Sequence, residues 1–150
     1  MEPHPDFQSI DLPREFELGP FQLTRLSPDF VEEDFDAVMA TADLIEGVFG
    51  DWPAGLTLAD NLVDLAWHER EFTARRSFAW ILRDSAGTYI GCVYLYPDIG
   101  SRGRLEAIFW MCNVESRQSK AEALKAGLSQ WLAVHLPNGI DIKWNTRPVV

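Results

Sequence analysis

Three short segments rich in β-branched and aromatic residues follow one another between residues 77 and 114, and they limit the possible folds more than any other feature. They run from Ser77 to Arg83, from Thr88 to Tyr96 and from Leu105 to Val114. The residues that link them are rich in Gly, Asp and Ser, which favour turns. Because strands joined by so few residues pair antiparallel, the sequence predicts a three-stranded antiparallel meander.

Two amphipathic helices are predicted before the meander. In the first, from Asp29 to Phe49, apolar residues recur at steps of three and four and therefore share one face. The second begins at Thr57, where Thr57-Leu58-Ala59-Asp60 resembles a capping box, and it runs to Arg75. A strand from Phe21 to Leu26 precedes both helices.

One helix and one strand are predicted after the meander. Ser119-Lys120-Ala121-Glu122 has the pattern of a capping box, and Ile140 to Thr146 has that of a strand. A strand, a helix and a strand in succession imply a right-handed parallel crossover. The predicted fold is therefore α/β, a mixed α+β sheet with helices on its faces, in the order β-α-α-β-β-β-α-β. The apolar stripe of the last helix comprises Ala121, Leu124, Leu128, Trp131, Leu132 and His135.

The 150 residues fit one domain with one core. Residues 1–20 contain four prolines and are predicted to form an extended N-terminal arm, so the folded domain is expected over residues 21–150. No apolar run reaches the length of a membrane span, and the first residues do not resemble a secretory signal, so we expect a cytoplasmic protein that does not bind membranes. Cys92 and Cys112 lie in apolar runs and are expected to be buried free thiols.

Charge is distributed unevenly along the chain. The net charge of −10 argues against nucleic acid as a partner, because phosphate binding needs a basic surface. Residues 1–28 carry −3, residues 29–71 carry −11, and residues 72–150 carry +4. Such a chain can offer an acidic surface to a cation and a basic surface to an anion. The alternative interpretation is that acidic helices are simply well solvated.

Several kinds of catalytic site are excluded by the sequence. His68-Glu69-Arg70-Glu71-Phe72 begins like the zinc-protease helix, but Phe72 stands where a second His is needed, so no metal site is expected. We expect His68 to be an ordinary surface or half-buried residue. The nucleophile elbow of hydrolases and the glycine-rich phosphate loops are also missing from the sequence.

The stretch from Trp110 to Ala123 carries the strongest functional signal. A predicted strand leads there into a predicted helix, and the first N–H groups of a helix have no intrahelical partner and can bind an anion. Arg117 and Lys120 add positive charge at the same place. The alternative is an ordinary capped helix after an ordinary strand.

This junction resembles the phosphate loop of the GCN5-related N-acetyltransferase family, whose pattern is Gln/Arg-x-x-Gly-x-Gly/Ala. Gln118-Ser119-Lys120-Ala121-Glu122-Ala123 matches it with one departure, Ala121 in place of Gly. The predicted element order from Phe21 to Thr146 is also that of the family. Further likeness to a small bacterial branch of acetyltransferases extends from Asp51-Trp52-Pro53 through His68 to Phe72, and then over Gly91 to Pro97.

The resemblance implies an acyl-CoA N-acyltransferase-like fold and acetyl-CoA as cosubstrate. The backbone of Met111 and Cys112 would pair with the pantetheine arm. The N–H groups of Gln118, Ser119, Lys120 and Ala121 would bind the pyrophosphate, aided by the side chains of Arg117 and Lys120. The acetyl group would pass to an amine, and Glu106 would accept the proton. The acidic first half of the chain would suit a small cationic amine as acceptor.

Departures from the family suggest an alternative. The Cβ of Ala121 is expected to intrude on the phosphate, and Glu115 and Glu122 place negative charge nearby. The sequence ends after the strand 140–146, so the family's later helix and its tyrosine acid are expected to be missing. The alternative is therefore an acetyltransferase-like domain that acts as a binding or dimerisation module, for which a homodimer is expected. For Glu106, the alternative is a cross-strand ion pair with Arg83 or Arg104.

Overall fold

The computed structural model describes residues 1–145, and one six-stranded sheet runs through them. The strands lie in the sheet in chain order, and each neighbouring pair is antiparallel except the last, which is parallel. The strands are β1 (Glu15–Leu18), β2 (Phe21–Arg25), β3 (Phe78–Arg83), β4 (Tyr89–Pro97), β5 (Arg104–Met111) and β6 (Asp141–Asn145). The predicted meander is thus confirmed as β3, β4 and β5.

Four α-helices accompany the sheet. They are α1 (Val31–Ala40), α2 (Ala42–Ile45), α3 (Leu58–Thr73) and α4 (Arg117–His135), and 3-10 turns occupy Pro5–Phe7 and Pro28–Phe30. The cap predicted for α3 is confirmed, since the Thr57 hydroxyl accepts a hydrogen bond from the Asp60 N–H at 3.1 Å. The single helix predicted from Asp29 to Phe49 is wrong. It is interrupted at Thr41, whose hydroxyl donates to the Ala37 carbonyl at 2.7 Å.

The N-terminal residues are more structured than the sequence indicates. The prediction of an extended arm is wrong for residues 15–18, because β1 forms a hairpin with β2. Its four residues alternate Glu15 and Glu17 with half-buried Phe16 and Leu18, a pattern too short to identify a strand. The domain boundary placed at residue 21 stays a prediction. At the other end, β6 is described to Asn145, and the predicted strand residue Thr146 lies outside the described residues.

The two faces of the sheet carry separate apolar cores. On one face, α4 packs its buried residues Ala121, Leu124, Leu128 and Leu132 against the sheet. On the other, α1, α2 and α3 pack against residues of β4 and β5 that include Tyr94 and Trp110. The helices that cover this second face come almost entirely from the acidic segment 29–71.

A buried polar network joins the helices to the sheet on this second face. Asp34 of α1 accepts hydrogen bonds from the Tyr89 hydroxyl and from the Asn61 side-chain amide, the latter at 2.8 Å. The Tyr89 oxygen also lies 2.8 Å from the Cys92 sulfur. Burial raises the pKa of Asp34, and the two donated hydrogen bonds offset this only in part. The network fixes α1 and α3 on β4.

The raised pKa of Asp34 gives a pH-dependent stability. Between about pH 4, where a free Asp ionises, and the raised pKa in the fold, the unfolded chain loses a proton that the folded chain keeps. The free energy of unfolding should therefore fall as pH rises through this window. Asp34→Asn should remove that decrease, as measured by urea denaturation at a series of pH values. Asp36→Asn, an exposed residue on the same helix, is the control. An Asp34→Asn profile parallel to that of the wild type would contradict the prediction.

Candidate functional site

The end of β5 presents backbone groups at the sheet's parallel side. The Cys112 N–H donates to the Ile90 carbonyl at 2.8 Å, while Met111 lies opposite Gly91. Because antiparallel pairs alternate between bonded and non-bonded positions, the N–H and C=O of Met111 point away from β4, towards the side of β6. The described part of β6 extends only to a position level with Ile108.

The start of α4 lies directly after this strand end. Ser116 has φ 55°, a left-handed conformation that favours glycine, and its side chain does not cap the helix. The Lys120 N–H donates to the Ser116 carbonyl at 2.9 Å, which closes the first turn. At the helix end, the N–H groups of Gln118 and Ser119 therefore have no partner within the helix.

The predicted capping box at Ser119 is wrong. The helix begins two residues earlier, at Arg117, so Ser119 lies within the first turn and cannot act as N-cap. The Glu122 carboxylate instead accepts a hydrogen bond from the Gln118 side-chain amide at 3.3 Å. Of the four N–H groups predicted to bind pyrophosphate, those of Gln118 and Ser119 lie at the helix end. Those of Lys120 and Ala121 lie further along the helix, and the Lys120 N–H donates to the Ser116 carbonyl.

Ala121 does not affect the helix end in the way its sequence position suggests. Its side chain is buried in the core beneath α4, only 3% exposed, so its Cβ points into the core and does not intrude at the N-terminus of the helix. The residue of this junction with a glycine-like backbone is Ser116. The Cβ of Ala121 is therefore not placed to intrude on a phosphate at the helix end, contrary to the expectation from the sequence.

Arg117 lies between the strand end and the helix end. Its Nε donates to the Met111 carbonyl at 3.0 Å, and burial lowers the pKa of its guanidinium. The bond ties the last residue of β5 to the first residue of α4. Cys112, the other predicted pantetheine contact, is half-buried, and burial raises the pKa of its thiol. Lys120 is half-buried one turn further along α4.

Glu106 lies on the second face of the sheet, opposite Tyr96 of β4. Of the two ion-pair partners considered for it, Arg83 instead binds Glu33 through two hydrogen bonds. Within residues 1–145, Glu106 makes no salt bridge. Its Cα is about 17 Å from that of Met111, five residues along an extended strand. Its role as a base stays a prediction.

A pocket that the sequence does not predict lies on the same face. Its volume is about 170 Å³, and aromatic side chains from α3, β4 and the loop before α3 form most of its wall. The lining residues are Phe49, Trp52, Asp64, Trp67, His68, Tyr94 and Tyr96. His68, expected to be an ordinary helix residue, is buried in this wall. The spacing of Asp64, Trp67 and His68 on one helix face was the available signal, but nothing in the sequence placed β4 beside it.

The topology and the β5–α4 junction define the class of fold, that of the GCN5-related N-acetyltransferases, as the sequence predicts. Three solved structures illustrate the similarity. The ribosomal L7/L12 alpha-N-protein acetyltransferase RimL has a TM-score of 0.66 at 10% sequence identity, over 82% of this chain and 70% of that one.

The second is the microcin C7 self-immunity acetyltransferase MccE, solved with acetyl-CoA and AMP, at a TM-score of 0.67 and 11% identity, over 83% of this chain and 69% of that one. The third is the ribosomal-protein-S5-alanine acetyltransferase from Vibrio fischeri, at a TM-score of 0.62 and 11% identity, over 80% of this chain and 68% of that one. Identities this low establish the fold alone. No protein-family model and no curated protein matches the sequence.

Two further findings concern the part of the chain that the structure describes. None of its helices is long and apolar enough to cross a membrane. Its His, Cys, Asp and Glu side chains form no group of three or more that could hold a metal ion.

Proposed function

We propose that this protein is an acetyl-CoA-dependent N-acetyltransferase that acts on a small cationic amine. The observation that carries the proposal is the β5–α4 junction. A strand end with outward backbone groups is followed, after five intervening residues, by a helix N-terminus that has no side-chain cap, with Arg117 and Lys120 beside it. In this fold, that arrangement suits a ligand that is extended at one end and polyanionic at the other.

The residues of the β5–α4 junction would bind acetyl-CoA through backbone N–H groups and positive charge. The N–H groups of Gln118 and Ser119 and the helix dipole would bind the pyrophosphate, and Lys120 would add a positive charge. The Met111 N–H would pair with the pantetheine arm, while Arg117 holds the Met111 carbonyl in place. Bound acetyl-CoA supplies a thioester carbonyl that an amine can attack, which forms the amide and releases the thiol of CoA.

The acceptor would approach from the second face of the sheet. Glu106 lies there, and five of the seven residues of the aromatic pocket come from the acidic segment 29–71. An amine must lose a proton to act as a nucleophile, and Glu106 would accept it, directly or through water. Negative charge on the acceptor side and positive charge on the donor side match the two substrates.

Acetyl transfer can be tested by incubating the protein with acetyl-CoA and a panel of amines and measuring free thiol. Diamines and amino-acid esters should release CoA thiol faster than neutral or acidic amines do, and mass spectrometry should detect the acetylated amine. Thiol release that no amine raises above the rate of hydrolysis would contradict the proposal.

The donor site predicts the effect of a charge reversal. Lys120→Glu should weaken acetyl-CoA binding roughly tenfold, because it replaces an attraction at the pyrophosphate by a repulsion. Titration calorimetry gives the dissociation constants. Lys125→Glu is the control. It makes the same change of net charge at a residue about 7 Å further along the axis of α4. Equal losses in the two variants would show that Lys120 has no local role.

A second candidate function rests on the exposed side of α3. Leu58, Leu62 and Val63 are 43%, 45% and 70% exposed, an unusual set of apolar side chains for one helix in solvent. A domain that serves as a dimerisation module would cover them. Light scattering that shows a stable dimer, together with no heat on addition of millimolar acetyl-CoA, would favour this alternative.

A further inference from the structure

We propose that the aromatic pocket between α3 and β4 is a binding site for an organic ammonium ion. Three pairs of its rings meet at steep angles, Phe49 with Trp52, Phe49 with Tyr94, and Trp67 with His68. Phe49 lies edge to face with Trp52 at 5.4 Å between ring centroids and with Tyr94 at 5.5 Å. His68 lies 5.0 Å from Trp67 and 5.5 Å from Tyr94.

Aromatic faces attract cations through the ring quadrupole, and quaternary or primary ammonium groups bind in boxes of this kind. The Tyr94 ring is held in place, since its oxygen accepts a hydrogen bond from the Trp110 indole N–H at 3.0 Å. Burial raises the pKa of the Tyr94 hydroxyl, so that it stays neutral. The ring stacks on Tyr96, which closes the side of the pocket nearest Glu106.

The charged groups around the pocket also favour a cation. Asp64 lines it, with one carboxylate oxygen 3.5 Å from Nε2 of His68, and its side chain is 45% exposed. Burial raises the pKa of Tyr96, and the carboxylates of Asp64 and Glu106 near its hydroxyl raise it further. No Lys or Arg lies in the wall. A carboxylate beside aromatic faces selects a cation over a neutral molecule of the same shape.

The pocket is open and of suitable size. Trp67 is 41% exposed at its rim, whereas Tyr94 and His68 are buried at its base. A cavity of about 150 Å³ holds a molecule the size of benzene, so a volume of about 170 Å³ admits a trimethylammonium or alkylammonium group. A role of the pocket in holding the acceptor of acetyl transfer rests on the proposed function. Binding of an ammonium ion in the pocket does not depend on that function.

The test compares choline with 3,3-dimethylbutan-1-ol, its neutral isostere, by titration calorimetry and tryptophan fluorescence. Choline should bind at least roughly tenfold more tightly and should change the emission of Trp52 and Trp67. Equal affinities, or no choline binding at high millimolar concentration, would overturn the proposal. Binding without acetyl transfer to any amine would leave the ammonium site standing and the proposed function refuted.

Variants locate the site. Trp67→Leu and Asp64→Asn change partly exposed side chains and should each weaken choline binding roughly fivefold to tenfold. Leu62→Ala, on the same helix but outside the pocket, is the matched control and should bind choline as the wild type does. Circular dichroism and thermal melting show whether each variant is folded. Choline affinity unchanged in both folded pocket variants would place the binding elsewhere and overturn the assignment.

Discussion

Replacing Gly91 with alanine is expected to lower the free energy of unfolding by about 3 kcal/mol or more. A Cβ at this position would lie 2.1 Å from the Trp110 carbonyl oxygen and 3.1 Å from the Met111 Cα. Both atoms belong to the backbone of the neighbouring strand, so no side-chain rotation relieves the contact. Strands β4 and β5 would have to separate. Urea denaturation measures the loss.

Gly127→Ala provides the contrast. A Cβ there would meet side-chain atoms of Leu18 at 3.1 and 3.2 Å, and this half-buried leucine of an edge strand can move. Alanine is also a better helix former than glycine by about 1 kcal/mol. The stability of Gly127→Ala should therefore stay within about 1 kcal/mol of the wild type. A Gly91→Ala protein as stable as Gly127→Ala would show that the close approach of β4 and β5 is not a requirement of the fold.

Glu106→Gln is expected to lower kcat roughly hundredfold, the typical contribution of a general base. The KM for acetyl-CoA should change little, because Glu106 is remote from the β5–α4 junction. The measurement is thiol release at saturating acetyl-CoA over a range of pH. As pH approaches the pKa of the amine itself, the free amine no longer needs a base, so the kcat of the variant should recover towards that of the wild type.

Two outcomes would contradict this role. A kcat that falls equally at every pH would indicate a structural effect, and an unchanged kcat would show that Glu106 takes no part. Glu115→Gln, which removes a carboxylate near the junction rather than on the acceptor face, is the control and should keep the wild-type pH profile.

The parts of the fold predicted correctly are those in which pattern and tertiary environment agree. The meander, α3 and the parallel strand β6 have clear periodicity and turn residues at their ends. β1 was missed because four residues give too little pattern, and its stability comes from pairing with β2. The apolar stripe predicted for α4 includes one residue too many at its C-terminal end. That residue, His135, is exposed and stacks on Trp131.

The sequence predicts the β5–α4 junction but not the aromatic pocket. The β5–α4 junction is continuous along the chain, so its strand, turn and basic residues could be identified. The capping box was predicted in the wrong place because the pattern Ser-x-x-Glu occurs both at an N-cap and within a first helical turn. In the structure, the left-handed residue Ser116 precedes the helix, so Ser119 lies in the first turn. The pocket joins Phe49 and Asp64 to Tyr96, residues that only the tertiary fold brings together.

Under the proposed function, acetyl-CoA binds where β5 ends and α4 begins. An ¹⁵N heteronuclear correlation spectrum, recorded while acetyl-CoA is added, distinguishes this binding site from any other. The largest shifts should fall on the amides of Met111, Arg117, Gln118 and Ser119, while those of the β3–β4 turn around Gly87 should not move. Saturating acetyl-CoA that leaves the four junction amides unchanged, or shifts only distant ones, would contradict the claim.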